Sequence, residues 1–243
     1  MADATYPIVK KPYLITENID ETKEVMVVRL KPEDNNPMNF DAGMFVMISG
    51  LDATGKEYVA RALSVASEPA SPVMEFFIIK EHDSHVSHFV EAKPGDRYNV
   101  KGPYGQFKFT PGVDKKVLFV AGGTGLAPFM SMIRHVKKIG AQDDMVLLYS
   151  IKYPTEIIRK EELLGYLQQL NLKVAITVTR PQPGDGWTGG TGHISADMVK
   201  KYALDFTERA VYICGPLAFV KAMKDIFVVL GVPNDRVKAD VWG

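Results

Sequence analysis

Besides methionine, a single cysteine, Cys214, is all the sulfur chemistry this 243-residue chain offers. That excludes a disulfide framework and any iron–sulfur cluster held by four thiolates of this chain. It also suits a reducing compartment, so a cytoplasmic protein is expected. Net charge is missing as well: Lys and Arg total 29, and so do Asp and Glu. With no net field to recruit nucleic acid or an acidic membrane surface, binding is expected to be local. No apolar stretch approaches the roughly 18 residues of a spanning helix, and Met1 to Leu14 lacks a signal-peptide layout, so no membrane insertion is expected. Histidines are few. His82, His85 and His88 recur at intervals of three, but no carboxylate or cysteine completes a ligand set, and no metal is expected. No Ser/His/Asp or paired-carboxylate arrangement stands out either.

What is present falls into two halves. The length allows two domains of about 110 to 130 residues, each able to bury a core. From Tyr6 to about Phe109 the pattern is strands and turns. Val25–Leu30, Met44–Ile48, Tyr58–Ala66 and Val73–Ile79 are short and β-rich, separated by clusters of Pro, Gly, Asn and Asp. Ser84 to Ala92 reads as one short helix, Arg97 to Lys101 as a strand, and Gly102-Pro103-Tyr104-Gly105 as a tight turn. This spacing predicts a small antiparallel barrel. The boundary is placed near Thr110–Asp114, giving domains 1–111 and 112–243.

Beyond the boundary, strands alternate with helices. Strands are expected at 116–121, 145–150, 172–179, 210–214 and 236–239; helices at 127–138, 155–169, 195–202 and 217–230, with a loop over 181–192. That alternation predicts a doubly wound, five-stranded parallel sheet with ligands at the carboxyl ends of its strands.

The sharpest local signal is the run Val117 to Ala121 breaking into Gly122-Gly123-Thr124-Gly125-Leu126-Ala127-Pro128. Glycines let the backbone turn tightly and approach a ligand. Pro128 suits the first turn of a helix, whose free N–H groups and dipole attract phosphate. Three further stretches carry chemistry. Arg61-Ala62-Leu63-Ser64 combines a guanidinium fork for pyrophosphate with a hydroxyl. Ser84 and Ser87 lie near a helix start. Val211 to Pro216 is a strand ending in Cys214 at the edge where ligands of such sheets bind.

In this order and spacing, the combination resembles the ferredoxin–NADP reductase superfamily across nearly the whole chain. Arg61 to Ser64 is similar to its Arg-x-Tyr-Ser/Thr flavin motif, and Gly102 to Phe107 to the turn closing its flavin domain. Gly122 to Pro128 is similar to its pyridine-nucleotide turn, Cys214-Gly215-Pro216 to its Cys-Gly-Pro, and Val241-Trp242-Gly243 to its aromatic close. The resemblance implies FAD and NADPH or NADH as cofactors. Arg61, with Ala62, Leu63 and Ser64, would hold FAD, Ser64 facing the flavin N5, with Ser87 and Gly102 completing that seat. Gly122, Gly123, Thr124, Gly125 and Pro128 would hold the coenzyme pyrophosphate. Cys214, Gly215 and Pro216 would lie beside the nicotinamide, and Trp242 would cover a flavin or adenine face. Ser64 and Cys214 are therefore the expected catalytic positions. Leu63 departs from the family's stacking aromatic and loses its π-face.

The coenzyme stays open. No carboxylate follows the second strand of the sheet, and Lys152, Arg159, Lys160 and Arg180 lean toward a 2′-phosphate, whereas Gly189 to Gly192 lacks an arginine. The implied activity is transfer of electrons from a nicotinamide dinucleotide through flavin to an acceptor protein: ferredoxin, flavodoxin or an oxygenase component. A subunit resembling the dihydroorotate dehydrogenase partner is the alternative, which the single cysteine disfavours. A nucleotide-binding module without redox activity is the competing non-enzymatic reading. The oligomeric state is left open.

Overall fold

The computed structural model describes residues 6–51, 54–80 and 87–242. It divides into two compact units. One runs to Phe109 and takes in Met130–His135; the other holds Thr110–Phe129 and the chain from Val136 onward.

In the first unit, β1 (Val9–Asp20), β2 (Val25–Pro32), β3 (Phe45–Gly50), β4 (Arg61–Ser64), β5 (Met74–Ile79) and β6 (Arg97–Tyr104) form one antiparallel sheet, with the short helix α1 (Ser87–Val90) before β6. The sheet order is β4-β3-β6-β1-β2-β5. Its ends nearly meet, because the Ala66 N–H just past β4 donates to the Glu75 carbonyl on β5 at 2.8 Å. Alternation builds the core. Tyr13, Ile15, Val46, Ile48 and Val100 turn inward and are almost fully buried, each contributing about 1.5–3 kcal/mol.

Three expectations change here. β1 was not singled out in the sequence. It is long and carries an irregularity between Ile15 and Glu17, which breaks its alternation. The expected turn at Gly102–Gly105 is instead strand as far as Tyr104, with the chain turning at Gly105, whose φ is 105°. The expected helix Ser84–Ala92 contracts to α1 among the described residues. Asn18 Nδ2 donates to the carbonyls of Phe89 (2.9 Å) and Ala92 (2.8 Å), taking over acceptors that a longer helix would use.

The second unit alternates β7 (Lys116–Gly122), α2 (Ala127–Ile139), β8 (Asp144–Ile151), α3 (Lys160–Tyr166), β9 (Leu172–Val178), β10 (Gly190–Thr191), α4 (Ala196–Tyr202), β11 (Ala210–Pro216), α5 (Leu217–Val229) and β12 (Val237–Trp242). All pairs are parallel, in the order β10-β9-β8-β7-β11-β12. The fold class expected from the sequence holds, with a correction: the sheet has six strands, the two-residue β10 lying inside the expected loop. Leu118 and Val120 of β7 share a core with Val220, Met223 and Phe227 of α5 and Val199 of α4. Phe119, pointing the other way, stacks on Phe129 of α2 at 5.0 Å. The sheet is therefore covered on both faces.

Helix limits follow local chemistry. Ser195 caps α4 by accepting from the Met198 N–H (3.2 Å), and Gly140, at φ 67°, ends α2. The helix expected over 155–169 is shorter, because Arg159 at φ 51° separates a 3₁₀ turn (Pro154–Glu156) from α3. Under the amino ends of the strands, Arg209 is 3% exposed and binds both Asp144 and Asp205, as well as the carbonyls of Val117 and Asp144. No helix of the described residues is long and apolar enough to cross a membrane.

Candidate functional site

The glycine-rich stretch leaves β7 at Gly122 and passes through a 3₁₀ turn, Gly123–Leu126, into α2, with Pro128 in the first helical turn. Gly123 has φ 56° with open space where a side chain would stand, as a left-handed turn beneath a ligand requires. Gly125 meets a different constraint. A Cβ there would overlap the Cys214 carbonyl oxygen and lie 2.6 Å from its carbon and 2.8 Å from the Gly215 Cα. The 3₁₀ turn thus rests directly on the end of β11. Gly122 and Gly215 also meet, both beneath the Phe219 ring: a Cβ on Gly122 would stand 3.0 Å from it, one on Gly215 2.7 Å. Main-chain N–H groups at the start of α2 are left as the donor set for an anion.

Cys214 is 1% exposed on β11, between Ala121 of β7 and Asp240 of β12 in register. Burial pushes its thiol well above the usual range, the Asp240 charge adds to this, and a bond from the Gly215 backbone offsets only part. The group stays a neutral thiol, suited to packing rather than nucleophilic attack. Pro216 pairs with Trp242, so the indole sits in β12 at the same carboxyl edge. The Trp242 indole N–H is buried without a hydrogen-bond partner among the described residues. An orphaned donor beside a glycine cradle fits a ligand that brings an acceptor. Arg180 follows β9 at this edge, exposed, its backbone N–H bonded to the Lys152 carbonyl at 2.9 Å. Gly122, Gly123, Thr124, Gly125, Pro128, Arg180, Cys214, Gly215, Pro216 and Trp242 thus fall on or beside one edge of one sheet.

In the first unit, Arg61, Ala62, Leu63 and Ser64 make up β4. β3 pairs with β4 on one flank, Phe45 opposite Ser64 and Val46 opposite Leu63. On the other flank, the chain just past Ser64 is tied to β5 by the Ala66 N–H, which donates to the Glu75 carbonyl. β4, the end strand in the sheet order, thus carries a guanidinium and a hydroxyl three residues apart, a donor set that fits a flavin dinucleotide. Leu63 is half-buried and packs against the barrel core, opposite the fully buried Val46. An aromatic surface does lie next to Ser64: Phe45 stacks on Tyr104 at 5.6 Å. Gly102 is buried on β6 against Val46, where a Cβ would come within 2.9 Å of the valine side chain. Ser87 opens α1. Ser84, His82 and His85 lie outside the described residues, and His88 stacks between Tyr58 (4.8 Å) and Tyr98 (5.8 Å). No motif flagged Tyr58 or the Phe45–Tyr104 pair; aromatic content near Arg61-Ala62-Leu63-Ser64 was the signal available.

Residues 12–109 match the family of oxidoreductase FAD-binding domains, and residues 119–225 that of oxidoreductase NAD-binding domains. The glycine betaine monooxygenase reductase subunit of Pseudomonas aeruginosa is 31% identical over 229 residues, covering 93% of this chain and 62% of its own length. The chain thus spans less than two thirds of that relative. NADH-cytochrome b5 reductase 1 of Laccaria bicolor is 30% identical, over 86% of this chain and 70% of the relative. Among solved structures, the ferredoxin reductase in carbazole 1,9a-dioxygenase superposes with a TM-score of 0.84 at 25% identity, covering 99% of this chain and 71% of that one. With a glycine cradle at a parallel-sheet edge and an arginine–serine strand on an antiparallel barrel, the chain belongs to the ferredoxin–NADP reductase superfamily of FAD- and NAD-binding oxidoreductases.

Proposed function

We propose that this protein takes reducing equivalents from a nicotinamide dinucleotide and delivers them, through FAD, to an acceptor protein. In this reading residues 1–111 hold the flavin and 112–243 the coenzyme. The observation that carries it is the Gly125 contact. Its main chain is pressed onto Cys214 and Gly215, so the phosphate turn after β7 and the end of β11, where a nicotinamide ring would lie, adjoin each other. When bound, FAD would supply the capacity for hydride acceptance and for onward transfer of electrons singly or in pairs. The chain's own task is to bind, orient and exclude water. Arg61 holds the FAD pyrophosphate, Ser64 lies at the flavin N5, and Ser87 serves the phosphate region. The 3₁₀ turn with Pro128 seats the coenzyme pyrophosphate, Cys214 packs beside the nicotinamide, and Trp242 covers a ring face.

An oxygenase system is the setting proposed for the acceptor, since one relative is named a monooxygenase reductase subunit and one similar structure a ferredoxin reductase in a dioxygenase, while another relative is named a cytochrome b5 reductase. The same reading puts the protein in the cytoplasm, where a lone, buried, neutral thiol stays reduced. The test is to load the protein with FAD and mix it anaerobically with NADPH and NADH in parallel. Bleaching of the flavin by either coenzyme is the expected result, and a flavin left oxidised by both sinks the reading. Cys214→Ala is expected to slow flavin reduction on the order of 10- to 100-fold while coenzyme Kd changes little, because a ring displaced by about 1 Å loses its reactive geometry. Equal losses in rate and affinity would count against Cys214 as a positioning residue.

A further inference from the structure

Glu75 is 3% exposed on β5, yet each oxygen of its carboxylate is bound to a guanidinium. Oε2 accepts from Nε of Arg29, the residue opposite it on β2, at 2.8 Å, and Oε1 accepts from Arg134 Nη1 at 2.9 Å. Arg29 also binds Glu17, at 2.7 Å. Buried charges of this kind are a poor way to stabilise a fold, since well-packed apolar residues of similar volume often do as well or better. What they supply is direction, because each bond fixes a donor on an acceptor. Here the bonds converge on the main chain just past β4. The same Arg134 Nη1 donates to the Ala66 carbonyl (2.8 Å), and the fully buried Ser131 donates its hydroxyl to the Ser67 carbonyl (2.7 Å). Ser131 and Arg134 are three residues apart on α2 and so share a face. The main chain of Glu75 adds to the grip: its N–H donates to the Ser67 hydroxyl (3.2 Å), and its carbonyl accepts from the Ala66 N–H (2.8 Å). The Val65 N–H donates to the Met44 carbonyl at 3.1 Å. Val65, Ala66 and Ser67 are thus held by β5, by α2 and by the chain entering β3. Met130–His135, which carries both helical donors, belongs to the barrel unit, so every bond named here is internal to that unit.

The held segment follows directly on Ser64, the hydroxyl that the proposed function sets at the flavin N5. A shift of the backbone at Ala66 is carried to Ser64 through two peptide units. The helix that supplies the donors is also the one whose first turn, at Pro128, is the proposed coenzyme seat, six residues before Arg134. Hydride transfer needs its reacting atoms about 3–3.5 Å apart, so small displacements of the groups that seat the rings are felt in the rate. We propose that Arg134, seated on Glu75, is a positioning residue for the hydride step: together with Ser131 it holds the chain behind Ser64, and through that chain the hydroxyl that faces the flavin. This inference rests on the flavoprotein reading.

Arg134→Met removes the guanidinium, whereas Arg134→Lys keeps a cation, and one ammonium can serve both acceptors because Nη1 alone bonds Ala66 and Glu75. In flavin-stripped full-length protein, Arg134→Met is expected to speed amide hydrogen exchange at Val65 and Ala66 roughly tenfold, the effect of losing charge-assisted bonds that hold the segment, while the pairing of β1 with β6 stays as protected as in the wild type. In FAD-loaded protein, its limiting rate of flavin reduction by NADPH or NADH is expected to fall on the order of 10- to 100-fold, the effect of a misplacement of about 1 Å. The Kd values for FAD and coenzyme stay unchanged, and Arg134→Lys recovers most of the rate. A double-mutant cycle with Ser64→Ala separates positioning from a purely structural role. Because Arg134 acts through Ser64, Arg134→Met is expected to add little to the loss already caused by Ser64→Ala. Losses that multiply overturn the proposal, and so do an unchanged limiting rate in Arg134→Met or a rate lost together with FAD affinity. If Arg134→Met does not fold, Ser131→Ala, which loses one buried oxygen, replaces it in the same measurements and the same outcomes decide. A wild-type flavin that neither coenzyme reduces overturns the flavoprotein reading instead, an outcome distinct from an Arg134→Met variant that reduces like the wild type.

Discussion

Gly125→Ala is expected to raise the Kd for the nicotinamide coenzyme at least tenfold while FAD affinity is retained. The added methyl would overlap the Cys214 carbonyl oxygen and crowd the Gly215 Cα at 2.8 Å. Both obstacles are backbone, so no rotamer change relieves them, and the 3₁₀ turn from Gly123 to Leu126 has to lift from the end of β11. Overpacking of this kind costs about 1–3 kcal/mol, and roughly 1.4 kcal/mol is already a factor of ten in affinity. The lift also misdirects the N–H groups that face a phosphate. Gly123→Ala provides the contrast. It meets nothing within 4 Å and carries only the cost of φ 56°, about 1–2 kcal/mol, with no steric push on Cys214. Calorimetric titration of the FAD-loaded variants with NADPH and NADH checks this. An unchanged coenzyme Kd for Gly125→Ala would show that the turn is not the coenzyme seat.

The second large effect concerns stability. Arg209→Leu is expected to destabilise the protein by about 3 kcal/mol, the lower end for breaking a buried ion pair. The lower end applies because Asp144 and Asp205 are 31% and 27% exposed and regain water, whereas the guanidinium is 3% exposed. The variant also loses part of its acid sensitivity. Desolvation raises the Asp205 pKa, but hydrogen bonds from Arg209 and Lys116 outweigh it and bring it from 3.8 down to about 2. A carboxylate depressed in the folded state binds fewer protons there than in the unfolded chain. Its stabilisation is therefore complete above about pH 4 and is lost as pH falls toward 2. Urea unfolding midpoints between pH 5 and 2 should fall steeply for the wild type and less steeply for Arg209→Leu. Parallel curves for the two proteins would show that the pair does not set the acid limb.

The signals that proved readable were those with a local cause. The strand running into Gly122 to Pro128 and the alternation of strands with helices both follow from neighbours in sequence, and the structure shows each. β1 was unreadable because its inward residues Tyr13 and Ile15 sit among Lys10, Lys11, Pro12 and Glu17, and an irregularity shifts the alternation midway. The helix limit at Arg159 depends on a left-handed backbone angle that an arginine does not announce. The Arg209 cluster joins partners 65 and 92 residues away, and no pattern of residue types signals it. At the candidate site, the glycines indicated where a backbone must come close, but not that its neighbour is the Cys214 carbonyl. The column of Tyr58, His88, Tyr98 and Phe89 draws on three separate stretches, so its rings meet only once the barrel has formed.

The place of β11 between β7 and β12 bears on how the chain acquires its structure during synthesis. β7 pairs β8 directly after α2, but its other flank waits for Ala210, which pairs with Val117. At about 5–20 residues per second on the ribosome, that wait is on the order of 5–20 s. Throughout it, Val117, Leu118, Phe119 and Val120 form an unpaired apolar edge, the kind of strand that recruits foreign partners. Slower translation between residues 122 and 210 would thus lower the yield of native protein without altering a single residue.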